Sequence, residues 1–136
     1  MWYVFEDTIP ANTTETNKRE LSIKVSGGIL HNMIVTIPPG SKTLVHVQLR
    51  KAGYYILPRH SNTSIVGEHV NVHYNDWLEL KAAENVLTLQ TWNTDETYAH
   101  TVRVLVGILP KQIAEMPENM LQDLRMFLRL FKRRTN

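Results

Sequence analysis

The sequence contains no cysteine, which excludes disulfides, thiolate metal sites and catalytic thiols. Glycine and proline number six each among 136 residues, so collagen-like and low-complexity structures are excluded as well. No apolar run reaches the roughly 20 residues that a membrane-spanning helix needs. The N-terminal residues lack the basic segment and the apolar segment of a signal peptide. We therefore expect one soluble domain, made in a cytoplasm, with no signal peptide and no transmembrane segment.

Positive charge is concentrated at the C-terminus. Residues 111–136 hold six basic and three acidic side chains, whereas residues 1–110 hold nine basic and ten acidic ones. A domain that binds nucleic acid usually carries basic side chains across its body. The composition therefore argues against nucleic-acid binding by the body and leaves the C-terminal tail as the one segment that could contact DNA.

Most of the chain alternates apolar and polar residues in short runs that end at turn residues. Such runs occupy residues 20–26, 30–37, 43–50, 54–57, 69–74, 77–80, 85–92 and 101–109. Gly27-Gly28, Pro38-Pro39-Gly40 and Asn75-Asp76 are typical turn sequences. The pattern predicts an all-β fold over residues 20–110, an antiparallel, jelly-roll-like β-sandwich of seven or eight strands. No segment of helical length separates the strands, which excludes a parallel α/β sheet.

The last segment, residues 111–136, changes to a helical period. Its apolar residues follow the spacing of one helix face, namely Met120, Leu121, Leu124, Phe127, Leu128 and Phe131. Pro117 suits the first helical turn, and the bases at 132–134 suit the negative end of the helix dipole. We predict a basic amphipathic helix over residues 117–133. Its apolar face could pack on its own sandwich, on another protein chain or on a membrane surface.

The histidines and the glycine-rich turn do not form a recognisable site. On a strand, His69 and His73 share a face but lie about 13 Å apart, so a metal would need a further ligand such as His46 or His100. Gly40 to Thr43 joins two strands instead of opening a helix, which indicates a hairpin turn rather than a phosphate-binding loop. We predict no catalytic residue, no metal and no cofactor, and thus a protein that is not an enzyme. A small hydrolase would require carboxylates or histidines that converge only in the fold.

Two regions of the chain are candidate protein interfaces. Residues 1–19 form a predicted N-terminal strand or arm, in which Trp2 and Phe5 could contact another copy. The predicted anchors in the helix are Leu121, Leu124, Phe127, Leu128 and Phe131. The predicted electrostatic contacts to an acidic surface or DNA are Arg129, Lys132, Arg133 and Arg134. These residues predict a homo-oligomer.

The aromatic residues allow a different function, provided that their rings are exposed. Trp77 and Trp92 could stack on sugar rings, as aromatic side chains do in many binding sites. On this alternative, the sandwich is a carbohydrate-binding or cell-envelope-binding module.

Two stretches of the sequence together resemble the small β-sandwich structural proteins of tailed phages. The first runs from Ile37-Pro38-Pro39-Gly40 through Leu44-Val45-His46-Val47 to Ile56-Leu57-Pro58. The second runs from Leu87-Thr88-Leu89 through Trp92-Asn93-Thr94-Asp95 and His100-Thr101-Val102 to Pro110. Those proteins include capsid decoration, or cement, proteins and head or tail accessory proteins. The resemblance implies a location in the virion, a cyclic oligomer (often a trimer) and a partner such as the major capsid protein. It implies neither a small-molecule substrate nor a membrane partner.

Overall fold

In a computed structural model, residues 1–110 and 118–134 are described, with α-helical side chains described at 120, 122–130 and 132. The described part contains six strands and one α-helix. The strands are β1 (Trp2–Ile9), β2 (Arg19–Ile37), β3 (Val45–Lys51), β4 (Tyr54–Leu57), β5 (Val70–Asn93) and β6 (His100–Leu109). The helix is α1 (Glu118–Arg134), and a short 3-10 helix, Glu15–Asn17, precedes β2. The predicted C-terminal helix is confirmed.

The two longest strands, β2 and β5, run antiparallel to each other over nearly their whole length. Their pairing is interrupted between Ser26 and Gly28 and again between Leu30 and Asn32. Such irregularities bend a strand pair. On one side of the bend, β2 pairs with β6, and on the other side, β5 pairs with β3. Each long strand therefore contributes one segment to each layer of the sandwich.

The pairings give two layers of four strand segments. Layer one contains β1, β6, the second half of β2 and the first half of β5, in that order. Layer two contains the first half of β2, the second half of β5, β3 and β4. These eight antiparallel segments follow the strand order of a jelly roll. The predicted all-β sandwich is confirmed, with six continuous strands supplying its eight segments.

Two predicted turns lie inside the long strands. Gly27-Gly28 belongs to β2, and Asn75-Asp76 belongs to β5. Asn75 lies opposite Asn32, whose side-chain amide donates to the Asn75 side-chain oxygen at 2.9 Å. These positions bend the strands without reversing the chain, because Gly28 still lies opposite Leu80 and Asn75 opposite Asn32 across the sheet.

The hydrophobic core fills the space between the layers. Val35 and Val104 lie opposite each other in layer one, and Leu49 and Leu89 lie opposite each other in layer two. All four side chains are fully buried in one continuous cluster. Burial of each such side chain stabilises the fold by about 1.5–3 kcal/mol.

The predicted N-terminal arm, residues 1–19, contributes an edge strand to this same sandwich. Strand β1 pairs with β6 of the same chain along its whole length, from Trp2 opposite Gly107 to Ile9 opposite His100. The backbone N–H of Ile108 also donates to the carbonyl oxygen of Met1 at 2.8 Å.

Candidate functional site

The helix α1 presents its apolar residues to solvent. Met120, Leu124, Phe127 and Leu128 are all exposed, and Leu128 is 61% exposed. Every other α1 side chain that the structure describes is exposed too. The apolar face of α1 is therefore not buried against the sandwich of its own chain at any described position.

Leu124 and Leu128 occupy the seam positions of a heptad pattern. If Leu128 takes position a, then Leu124 takes position d of the preceding heptad. By sequence, the same pattern gives a and d to Leu121 and Phe131, whose side chains lie outside the described residues. Two successive heptads thus place apolar residues along one seam.

Basic residues lie beside and opposite this seam. Arg129 lies on the polar side of α1, and Lys132 flanks the seam at position e; both side chains are exposed. The other two predicted electrostatic contacts, Arg133 and Arg134, have side chains outside the described residues. An apolar seam flanked by basic residues suits a helix that binds a partner.

The two aromatic residues of β1 that were predicted to contact another copy face opposite sides of the strand. Trp2 is exposed, with its ring edge-on to the ring of His31 at a centroid distance of 6.1 Å. Phe5 is 1% exposed and belongs to the core. The prediction that Phe5 contacts a partner is wrong, because its side chain is enclosed by its own domain.

Trp2 continues into an apolar strip on the outer surface of layer one. Val4, two residues further along β1, is exposed and lies opposite Leu105, which in turn lies opposite Ile34. Leu105 and Ile34 are half-buried. The strip formed by Trp2, Val4, Leu105 and Ile34 is a second apolar surface, and the sequence prediction included only Trp2 from it.

Trp92 is packed between two other side chains. Its ring stacks on the His46 ring at a centroid distance of 4.7 Å with 3° between the planes. The Lys18 ammonium lies 4.7 Å from the centroid of the Trp92 ring. Because Trp92 is 4% exposed, it cannot offer a ring face to a sugar, whereas Trp77 is exposed.

His46 and His100, the two histidines named as possible further metal ligands, have other partners. Nδ1 of His46 lies 2.8 Å from the Ser64 hydroxyl oxygen, and Nε2 of His100 lies 2.8 Å from a carboxylate oxygen of Asp95. Burial lowers the pKa of His46 below its ordinary value. In residues 1–110 and the described side chains of α1, no three histidine or acidic residues are placed to hold a metal ion.

The turn at Gly40 to Thr43 binds a carboxylate of the same chain. The backbone N–H groups of Gly40 and Lys42 donate to the side chain of Glu68. These hydrogen bonds lower the pKa of Glu68. Two backbone amides of this turn are therefore already bonded to a side chain of the same chain, as expected for a structural turn.

A cleft opens between β4 of layer two and the first half of β5 in layer one. It has a volume of about 570 Å³. Nη2 of Arg59 donates to both carboxylate oxygens of Asp76, at 2.9 and 2.8 Å, across this opening. The residues that line it are Gly53, Tyr54, Tyr55, Ile56, Arg59, His60, Ser61, Asn62, Asp76 and Leu78. Sequence analysis missed Arg59 and Asp76, since their proximity depends on how the layers meet.

Comparisons with known proteins give the chain no family. No protein-family model matches it, and no curated protein matches it. Among solved structures, it is similar to an exo-beta-1,3-galactanase from Phanerochaete chrysosporium, with a TM-score of 0.32 and 13% sequence identity. That match covers 79% of this chain and 27% of the galactanase chain. No helix within the described residues is long and apolar enough to cross a membrane.

Proposed function

We propose that the protein is a non-enzymatic virion structural protein that assembles as a homo-oligomer and binds a capsid or neighbouring virion subunit. The observation that carries this proposal is the exposed apolar seam of α1 at Leu124 and Leu128. A soluble chain that keeps such a seam in water loses the free energy that its burial would supply. Contact with a second α1 recovers that free energy.

The proposed virion location is supported by the phage-like pattern of strands and turns in the sequence. The jelly-roll architecture is compatible with it, because viral capsid proteins use this architecture, as do lectins. Architecture alone does not assign a function, so the assembly surface has the greater weight. The trimer that the resemblance implies is the expected stoichiometry.

For a partner that is a second copy of α1, the charges of the helix favour one orientation over the other. In the heptad pattern, Arg125 and Lys132 occupy e positions, while Met120 and Phe127 occupy g positions. Parallel helices place e beside g of the neighbour, which avoids contact between like charges. Antiparallel helices would place Arg125 and Lys132 of the two copies next to each other. A parallel bundle of α1 helices is therefore the proposed assembly.

Light scattering on three full-length chains tests the proposal. We expect the unmodified protein to have the mass of an oligomer and Leu128→Asp to have the mass of one chain, 15.7 kDa. The matched control is Leu130→Asp. Leu130 is 63% exposed, similar to Leu128, but two residues turn a helix by about 200°, so it lies on the other side.

Leu130→Asp should remain an oligomer. A monomeric unmodified protein would contradict the assembly proposal, and dissociation of both variants would contradict the assigned seam. A helix that instead binds a membrane would leave the protein monomeric in solution and would bind it to anionic vesicles. Peptides of this chain in purified phage particles would test the virion location separately.

A further inference from the structure

The cleft between β4 and β5 combines an apolar wall with polar groups and carries balanced charge. Tyr54 is 57% exposed at its mouth, and the buried Ile56 lies on its inner side. Its charged side chains at neutral pH, histidine aside, are Arg59 and Asp76, which bind each other. The backbone N–H of Trp77 and the Arg59 guanidinium hold the pKa of Asp76 below its ordinary value. A charged ligand would thus have to compete with an ion pair that is already formed.

Hydrogen-bonding groups of both kinds line the same cleft as the exposed Tyr54. The side chains of Ser61 and Asn62 are exposed and provide donors and acceptors. Arg59 donates to Asp76 through Nη2. Its side chain is otherwise exposed, so its other N–H groups can donate to a ligand. This combination of an aromatic face with mixed donors and acceptors matches a sugar ring, which has apolar C–H faces and a rim of hydroxyls.

The polar wall of the cleft is held in place from behind. The buried side-chain amide of Gln48 donates to the carbonyl oxygens of Ser61 and Thr63. Nζ of Lys18 in turn donates to the side-chain oxygen of Gln48 at 3.0 Å. The backbones of Val47 and Ile65 are also hydrogen-bonded to each other at 2.9 and 3.0 Å. A wall fixed in this way loses little conformational entropy when a ligand binds.

We propose that this cleft binds a neutral saccharide unit, with the sugar ring on Tyr54 and its hydroxyls on Arg59, Asp76 and Asn62. The volume of about 570 Å³ lies within the usual range for small-molecule sites. An anionic ligand is disfavoured by the Asp76 carboxylate, and a cationic one by the Arg59 guanidinium. No residue of α1 lines this cleft, so the proposal does not depend on whether the protein assembles.

Binding to an array of neutral oligosaccharides, containing hexoses and N-acetylhexosamines, tests the proposal on the full chain. We expect at least one neutral oligosaccharide to bind, and Tyr54→Ala to weaken its affinity at least tenfold. The matched control is Tyr98→Ala, because Tyr98 is 67% exposed but does not line the cleft. That variant should bind within twofold of the unmodified protein.

A second pair of variants tests the polar side of the cleft. Arg59→Met should also weaken binding, whereas Arg103→Met should not, because Arg103 forms a similar ion pair with Glu6 outside the cleft. Equal urea midpoints would show that each variant is folded. The proposal is overturned if no neutral oligosaccharide binds, if binding survives Tyr54→Ala, or if inorganic phosphate and sulfated sugars bind in place of neutral ones.

Discussion

Arg19 donates two hydrogen bonds to the carboxylate of Asp7, from Nε at 3.3 Å and from Nη2 at 3.0 Å. The same carboxylate accepts a third hydrogen bond from the Thr91 hydroxyl at 2.8 Å. Asp7 lies on β1 in layer one, whereas Arg19 and Thr91 lie opposite each other in layer two. The buried Asp7 side chain therefore connects the two layers of the sandwich at this edge.

Replacing Asp7 tests how strongly this connection stabilises the fold. Asp7→Ala removes charge-assisted hydrogen bonds and leaves the buried Thr91 hydroxyl without its partner, so we expect the free energy of unfolding to fall by about 2 kcal/mol. The adjacent residue provides the control, because Glu6 forms an exposed ion pair with Arg103. Glu6→Ala should cost less than about 0.5 kcal/mol. Urea unfolding measures both, and equal losses would contradict the role assigned to Asp7.

The bend in β2 depends on a glycine. Gly28 has a φ of +148°, and a Cβ atom at this position would clash with the carbonyl oxygen of Leu109. Gly28→Ala should therefore lower the free energy of unfolding by about 2–4 kcal/mol, measured by urea unfolding. Gly53 has nothing near the position of its missing Cβ, so Gly53→Ala should change the stability by less than about 0.5 kcal/mol. An unchanged free energy of unfolding in Gly28→Ala would contradict this expectation and would show that the backbone there can relax.

Alternation of apolar and polar residues was enough to predict the sandwich, because a half-buried strand requires it. The same alternation explains why the side chain of Phe5 is buried in the core. Trp2 and Phe5 are an odd number of residues apart on one strand, so they face opposite sides. The bends at Gly27-Gly28 and Asn75-Asp76 could not be distinguished from turns locally, since both use the same residue types. Only the cross-strand partner, such as Asn32 opposite Asn75, decides between them.

The candidate sites differ in how much the sequence reveals of them. The apolar seam of α1 is local, so its period is visible in the sequence. Arg59 and Asp76, which meet at the cleft, come from separate parts of the chain. The same is true of the stacked rings of His46 and Trp92. Neither pair has a local pattern, because each is brought together by the packing of different strands.

The burial of His46, whose ring lies on Trp92, predicts a pH dependence of stability. Burial lowers the pKa of His46 in the folded protein, whereas the unfolded chain keeps a value of about 6.5. The unfolded state therefore binds the proton more readily. The contribution of His46 to stability is complete above about pH 6.5 and is lost as the pH falls towards the folded-state pKa.

His46→Phe should keep the ring against Trp92 but remove the titration. We expect the free energy of unfolding of the unmodified protein to fall more between pH 7.5 and 5.5 than that of the variant. Urea unfolding followed by tryptophan fluorescence gives the free energy of unfolding of each protein at each pH. Subtracting the pH dependence of the variant from that of the unmodified protein removes the contributions of the other titrating groups. Parallel curves would contradict the assigned role of His46.

A single introduced cysteine tests the orientation of the α1 helices, because the chain contains none. In a parallel bundle, position 124 of one copy lies near position 124 of the next. Leu124→Cys should therefore form disulfide-linked dimers under mild oxidation, as a disulfide requires Cα atoms within about 7 Å. An antiparallel pair with Arg125 beside Lys132 would hold the two copies of position 124 about nine residues, or about 13 Å, apart along the axis, and no disulfide would form. Leu130→Cys, with its side chain on another side of the helix, should not cross-link in the parallel bundle, and non-reducing electrophoresis distinguishes the variants. Cross-linking at position 130 but not at 124 would mean that the helices meet through a different face.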